Sequence, residues 1–203
     1  LHIVKNSSFV NSKSIIAEID RLNANRQKPW MEKDMNILIP MAGAGSRFER
    51  AGYTFPKPLI EVGGKPMIQV VVENISIDAN YIYVVQRSHY EKFNLKHMLN
   101  VITPGCNIVL TDGVTEGAAC TTLLAKDFIN NESPLLIANS DQYISWDSSD
   151  FMDRMKSGRY DGGILTFKNT HPKWSYVKLD DDGLVNEIKE KQVISDMATV
   201  GIY

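Results

Sequence analysis

The chain has 203 residues, 43% hydrophobic and 23% charged, with a formal net charge of −2. That length suits one α/β domain with a little extra, and the charge gives no long-range pull toward nucleic acid or an anionic membrane. No apolar stretch approaches the ~20 residues of a membrane helix. Residues 1–30 lack a signal peptide's apolar core, so the expected setting is the cytoplasm.

Residues 1–34 read apart from the rest of the chain. Ile15, Ile16, Ile19 and Leu22 recur at helical spacing after Ser12 and Ser14, either of which could cap the helix. Lys28-Pro29 ends it. The chain opens on Leu1, and Val200-Gly201-Ile202-Tyr203 reads as mid-strand. The expectation is an extension or linker over 1–34 and a main domain over 35–203, cut at its C-terminus from a longer polypeptide.

From Met35 strands and helices alternate, the order that predicts a mostly parallel sheet covered by helices. Asn36–Met41 is an apolar strand, Val62-Gly63-Gly64 a turn, and Pro66 opens a helix carrying Met67, Ile68, Val71, Val72 and Ile75. Tyr81–Val85 suits a covered strand, Ser88–Leu99 a helix capped by Ser88, and Asn107–Thr111 a short strand. Gly117–Ile129 is a predicted helix, and Leu135–Ala138 a strand ending in Asn139-Ser140-Asp141. Asp147–Lys156 comes next as a helix, then Gly163–Lys168 and Tyr176–Leu179 as strands. Asp181-Asp182-Gly183 is a hairpin turn leading into a strand through Ile188.

The chemistry concentrates where the first strand breaks into Gly43-Ala44-Gly45-Ser46-Arg47. Ten residues after Arg47 comes Lys57, held between Pro56 and Pro58. Glycines let a backbone approach an anion with its N–H groups inward, and a guanidinium and an ammonium supply charge for phosphate oxygens. The string is neither a P-loop, which needs G-x-x-x-x-G-K-[ST], nor a dinucleotide fingerprint, whose third glycine is Phe48 here. It reads as a nucleoside triphosphate site at the end of a strand. Asp141 follows a second strand's carboxyl end, so both motifs point to one rim of an open α/β sheet, where ligands bind.

Asn36 to Leu59, with G-x-G-x-R followed by P-K-P-L, resembles the sugar-phosphate nucleotidyltransferase family, and the likeness extends over Met35 to Tyr203. The resemblance implies a Rossmann-like three-layer α/β sandwich with a mostly parallel mixed sheet. It also implies transfer of a nucleotidyl group to a phosphorylated acceptor with release of pyrophosphate. Ala42, Gly43, Ala44, Gly45 and Ser46 would then wrap the triphosphate, Arg47 face the departing pyrophosphate, and Lys57 sit where the bond changes hands. Asp141 would hold Mg²⁺, with a second acidic ligand coming from beyond the last residue here; from the residues alone it could equally cap the next turn. Partners on this reading are a nucleoside triphosphate and a small phosphorylated molecule, with homo-oligomer formation left open.

Other residues keep two readings each. Thr115-Glu116-Gly117-Ala118-Ala119 is either ordinary helix packing or, by the resemblance, the segment where Glu116 and Gly117 lie against the base. Glu190-Lys191 would by itself be a solvated pair; the resemblance makes Lys191 the holder of the acceptor phosphate, with Gln192 replacing the family's proline. Trp174-Ser175-Tyr176-Val177 resembles the strand beside the acceptor, its aromatics (Tyr176 among them) narrowing that pocket. Cys106 and Cys120 are expected to be small buried or half-buried side chains, and His2, His89, His97 and His171 form no metal spacing. The alternatives are a glycosyltransferase of related sheet, for which the G-x-G-x-R…P-K-P string has no purpose, and a nucleotide-binding homologue without turnover.

Overall fold

Residues 2–4, 35–43, 55–157 and 160–203 are described by the computed structural model. The chain divides into two compact units, Leu1–Ser149 and Asp150–Tyr203. The first contains β1 (His2–Val4), β2 (Asn36–Pro40), a 3₁₀ turn (Lys57–Leu59), β3 (Glu61–Val62), β4 (Lys65–Pro66), α1 (Met67–Ile75) and β5 (Asn80–Gln86). It continues with α2 (Arg87–Lys92), α3 (Leu95–Ile102), β6 (Asn107–Thr111), α4 (Ala118–Leu123), α5 (Lys126–Ile129), β7 (Leu135–Ile137) and β8 (Gln142–Ile144). The predicted helix around Ile15 to Leu22 lies outside the described residues.

Four strands form a parallel sheet in the order β6-β5-β2-β7. Ile37 and Ile39 project to one face of β2 and Leu38 to the other, and all three are fully buried. Covering on both faces is what a continuous apolar run requires in a parallel strand. Leu38, Ala42, Ile82, Val84 and Ala125 form one core cluster, with Val109, Ile129, Leu135 and Ile137 packed against it. On the other face the Tyr83 hydroxyl lies 3.0 Å from Thr103 Oγ1, and the Tyr81 hydroxyl donates to the Ile77 carbonyl at 2.9 Å. Burial pushes the Tyr81 and Tyr83 phenols far above their ordinary range. Mixed α/β architecture with a parallel sheet and helices is therefore the fold.

Two predicted helices are each broken. Ser88–Leu99 divides into α2 and α3 because Asn94 adopts the left-handed conformation, φ 49°. Ser88 is not the cap, since α2 begins at Arg87 after Gln86. Gly117–Ile129 divides at Leu124-Ala125, where Ala125 turns fully into the core. The glycine turn between β3 and β4 has φ values of 62° at Gly63 and 81° at Gly64. Two consecutive positive values suit a tight hairpin, and glycine takes both without a Cβ penalty.

A strand absent from the prediction, β8, follows Asp141 directly and pairs in parallel with the backbone of β1. Its other edge is held by a side chain of α1. Asn74 Nδ2 donates to the Ile144 carbonyl at 2.8 Å, and the Ile144 N–H donates to Asn74 Oδ1 at 2.9 Å. One buried carboxamide thus replaces a rung of sheet.

The second unit has β9 (Thr166–Lys168), β10 (Tyr176–Leu179), β11 (Val185–Lys189) and β12 (Met197–Thr199) in an antiparallel sheet ordered β11-β10-β12-β9. The hairpin between β10 and β11 turns through Gly183, φ 80°. The strand near the chain end runs over Met197–Thr199 and leaves Val200 to Tyr203 outside it, apart from a bridge at Ile202. A helix, α6 (Ser148–Lys156), spans the boundary between the units.

Cys106 is half-buried, as expected, whereas Cys120 is exposed. Burial pushes the Cys106 thiol up, which lowers its thiolate fraction near neutral pH. Iodoacetamide at neutral pH is expected to modify Cys120 first. Peptide mass spectrometry checks the order, and Cys106 reacting first would contradict it. Among the described residues, no helix is long and apolar enough to cross a membrane.

Candidate active site

β2 and β7 are parallel neighbours in register, Leu38 opposite Ile137, and the Ala138 N–H donates to the Leu38 carbonyl at 3.0 Å. Their carboxyl ends therefore open on the same edge. β5 flanks β2 on its other side, so β2 and β7 straddle the point where strand order reverses, the usual ligand crevice of such sheets. Met41 and Ala42 continue β2 as buried residues and Gly43 emerges into solvent. Gly43 is not crowded: nothing stands within 4 Å of where a Cβ would lie. Ala44, Gly45, Ser46 and Arg47 lie outside the described residues.

Lys57 starts the 3₁₀ turn, which Leu59 closes by donating its N–H to the Pro56 carbonyl at 2.8 Å. Pro56 enters at φ −60°, ψ 150°, extended geometry that proline's ring favours, and Pro58 is buried. These constraints hold the backbone while the lysine stem reaches the loop after β7. There the Lys57 ammonium pairs with the Asp141 carboxylate. The side chains keep 30% and 20% exposure, so both remain within reach of a ligand from solvent. Residues distant in sequence thus converge as charge and countercharge on the shared rim.

The loop carrying Asp141 is braced locally, since Asn139 Nδ2 donates to Gln142 Oε1 at 3.3 Å. A single carboxylate can serve a hard cation that draws most of its oxygen ligands from phosphates and water, as Mg²⁺ does. The Lys57 ammonium beside Asp141 opposes a bare cation there. Among the described residues no cluster of three His, Cys, Asp or Glu side chains could form an all-protein cage. The donor set fits a metal carried in with a triphosphate.

Glu116 and Gly117 lie just before α4, both exposed. The Gly117 carbonyl is fixed by the Thr121 N–H at 3.0 Å and by the hydroxyls of Thr115 and Thr121, each at 3.1 Å. A Cβ on Gly117 would also meet nothing within 4 Å, so the fold itself does not demand glycine there. Open space over a rigid backbone leaves room for a flat group.

In the second unit, Glu190 and Lys191 follow β11 and pair with each other at 2.7 Å. The hydrogen bond and charge of Lys191 hold the Glu190 carboxyl below the usual carboxylate range. Lys191 adopts φ 53°, left-handed geometry that a non-glycine residue seldom takes. Tyr176 is fully buried and its hydroxyl donates to the His171 carbonyl at 2.8 Å. That side chain supports its strand rather than presenting a group to a ligand.

Sequence reading missed Gln86. Its Nε2 donates to the Ala42 carbonyl at 2.9 Å and to the Gly43 carbonyl at 3.3 Å, tying the end of β5 to the start of the glycine loop. The only signal in the chain was a polar residue closing an otherwise apolar parallel strand.

Residues 37–203 match the family model described as nucleotidyl transferase. The bifunctional protein GlmU of Methanocaldococcus jannaschii is 28% identical over 171 residues, covering 83% of this chain and 39% of that protein. The mannose-1-phosphate guanyltransferase of Schizosaccharomyces pombe is 29% identical over 178 residues, covering 83% of this chain and 49% of that protein. The chain thus spans less than half the length of these relatives. Among solved structures, the nucleoside-diphosphate-sugar pyrophosphorylase of Vibrio cholerae RC9 superposes with a TM-score of 0.66 at 24% identity, covering 82% of this chain and 71% of that one. This last likeness is one of fold.

Proposed function

The chain belongs to the nucleotidyl transferase family, and we propose that it transfers the nucleotidyl group of a nucleoside triphosphate to a small phosphorylated acceptor. The observation that carries the reading is the Lys57–Asp141 pair on the rim where β2 and β7 both end. The name of one relative, a mannose-1-phosphate guanyltransferase, favours a sugar phosphate as acceptor.

In the proposed reaction an oxygen of the acceptor phosphate attacks the α-phosphorus in line. The bond from that phosphorus to the bridging oxygen breaks, and pyrophosphate leaves with the electron pair. Positioning and charge stabilisation supply the catalysis, with no covalent enzyme intermediate. Ala42, Gly43, Ala44, Gly45 and Ser46 would line the triphosphate, and Arg47 would hold its departing end. Lys57 would stabilise charge at the reacting phosphorus, exchanging the Asp141 carboxylate for phosphate oxygens as its counterion. Asp141 would hold Mg²⁺, which when bound neutralises charge on the phosphates. Glu116 and Gly117 would face the base. Lys191 would take the acceptor phosphate, and its left-handed backbone is the kind of local strain that functional sites retain.

Pyrophosphate release on mixing the protein with Mg²⁺, each of four ribonucleoside triphosphates or dTTP, and a panel of sugar 1-phosphates tests the reading. Acceptor-dependent release supports it. Hydrolysis of ready-made nucleotide sugars without it would favour a glycosyltransferase, and triphosphate binding without turnover an inactive homologue.

Gly117→Ala separates fold from ligand contact. With open space at that Cβ and φ at 179°, the melting temperature should stay within a few degrees. Nucleotide affinity should fall by about tenfold, ~1.4 kcal/mol, as read by isothermal titration calorimetry. Unchanged affinity would remove Gly117 from the base site.

A further inference from the structure

We infer that Gln86 is a positioning residue for triphosphate binding, its carboxamide setting the direction in which the chain leaves β2. This rests on the nucleotidyl-transfer reading above. The β2–β5 ladder ends at the bond from the Met41 N–H to the Val84 carbonyl, 2.8 Å. Past it, the carbonyls of Ala42 and Gly43 have turned out of register with any strand. Gln86, the last residue of β5, supplies the next rung from its side chain, donating to both at 2.9 and 3.3 Å. Two carbonyl acceptors identify the group facing them as the amide nitrogen, since the oxygen could donate to neither.

Peptide planarity carries the consequence for an anion. In a trans peptide the N–H points opposite to the C=O. With the Ala42 carbonyl drawn toward Gln86, the Gly43 N–H points away from it. A phosphate cradle requires this division, carbonyls held back on one side and amide donors free on the other. Ala42 is buried and Gly43 exposed, so the clamp acts at the step where the chain passes from core to solvent. A second rim contact lies beside it: Arg87 Nε donates to Asp112 Oδ1 at 2.7 Å, joining the ends of β5 and β6. Gln86 therefore projects from an end of β5 that is itself tied down.

The test is Gln86→Met, which keeps the length and removes the donors, made in the full-length protein. We expect the KM and Kd for the nucleoside triphosphate to rise about tenfold, the effect of two modest hydrogen bonds. The KM for the sugar phosphate and kcat at saturating nucleotide should change less than twofold. A purely structural role would instead lower the melting temperature and move all three constants together. If the methionine variant fails to fold, Gln86→Glu keeps the shape and places an oxygen against the carbonyls, with at least as large an expected loss. Triphosphate affinity unchanged in a folded variant, or all constants shifted alike, overturns the role of Gln86 alone. A wild-type protein that binds no triphosphate overturns the underlying reading, and this inference with it.

Discussion

Lys57→Ala is expected to slow nucleotidyl transfer by several hundred-fold, about 3–4 kcal/mol in the barrier. The proline on each side and the 3₁₀ turn deliver the ammonium to the Asp141 carboxylate from a backbone with little freedom. Little ordering therefore remains to be done when phosphate replaces carboxylate. A preoriented charge acting on a developing one is the strongest stabilisation such sites command. Lys57→Arg keeps the charge but spreads it over a planar fork, so it should recover only part of the rate. Because both partners are partly exposed, losing the pair should lower stability only slightly. Steady-state kinetics with a melting curve checks both halves. A folded alanine variant turning over at near wild-type speed would refute the role.

The second large effect concerns stability. Asn74→Leu should cost about 3–5 kcal/mol, since it leaves the buried N–H and C=O of Ile144 without partners. Leucine is no smaller than asparagine, so the loss comes from desolvated backbone groups rather than from a cavity. For a chain of this length the melting temperature should fall by roughly 10 °C. The backbone carbonyl of Asn74 also accepts from Trp146 Nε1 at 3.2 Å, so α1 grips both β8 and the segment after it. As β8 begins at the residue following Asp141, the variant should lose nucleotide affinity below its melting point as well. Denaturant unfolding within about 1 kcal/mol of the parent would show that water or repacking replaces the carboxamide.

The centre of the parallel sheet was legible in the chain because β2 and β5 are buried on both faces and read as unbroken apolar runs. Asn107–Thr111 and Tyr176–Leu179 fall where the residues predicted them. Helix α1 was equally plain, its apolar residues recurring along one face behind Pro66. The breaks at Asn94 and Ala125 were not, since both residues sit within otherwise helical periodicity. One leaves the helix by an αL step that asparagine tolerates, and the other turns to fill the core under Leu38. β8 and β12 escaped notice for a different reason. Each is three residues long, too short for alternation to register, and each is specified by partners far away in sequence.

The site divides along the same line. Lys57 and Asp141 could be found because proline flanks and strand ends leave local marks, and the fold brings the two together. Glu190 and Lys191 looked like any solvated charge pair; only the backbone angle at Lys191 sets them apart. Gln86 acts through hydrogen bonds to main-chain carbonyls, a contact any polar residue can make and no spacing predicts.

A crystal structure of the protein with Mg²⁺ and a non-hydrolysable nucleoside triphosphate would decide the matter. Phosphate oxygens are expected against the Gly43 amide, with the Lys57 ammonium turned from Asp141 onto the phosphates. Phosphates bound elsewhere, or a Lys57–Asp141 pair left intact beside a bound triphosphate, would contradict the proposed roles.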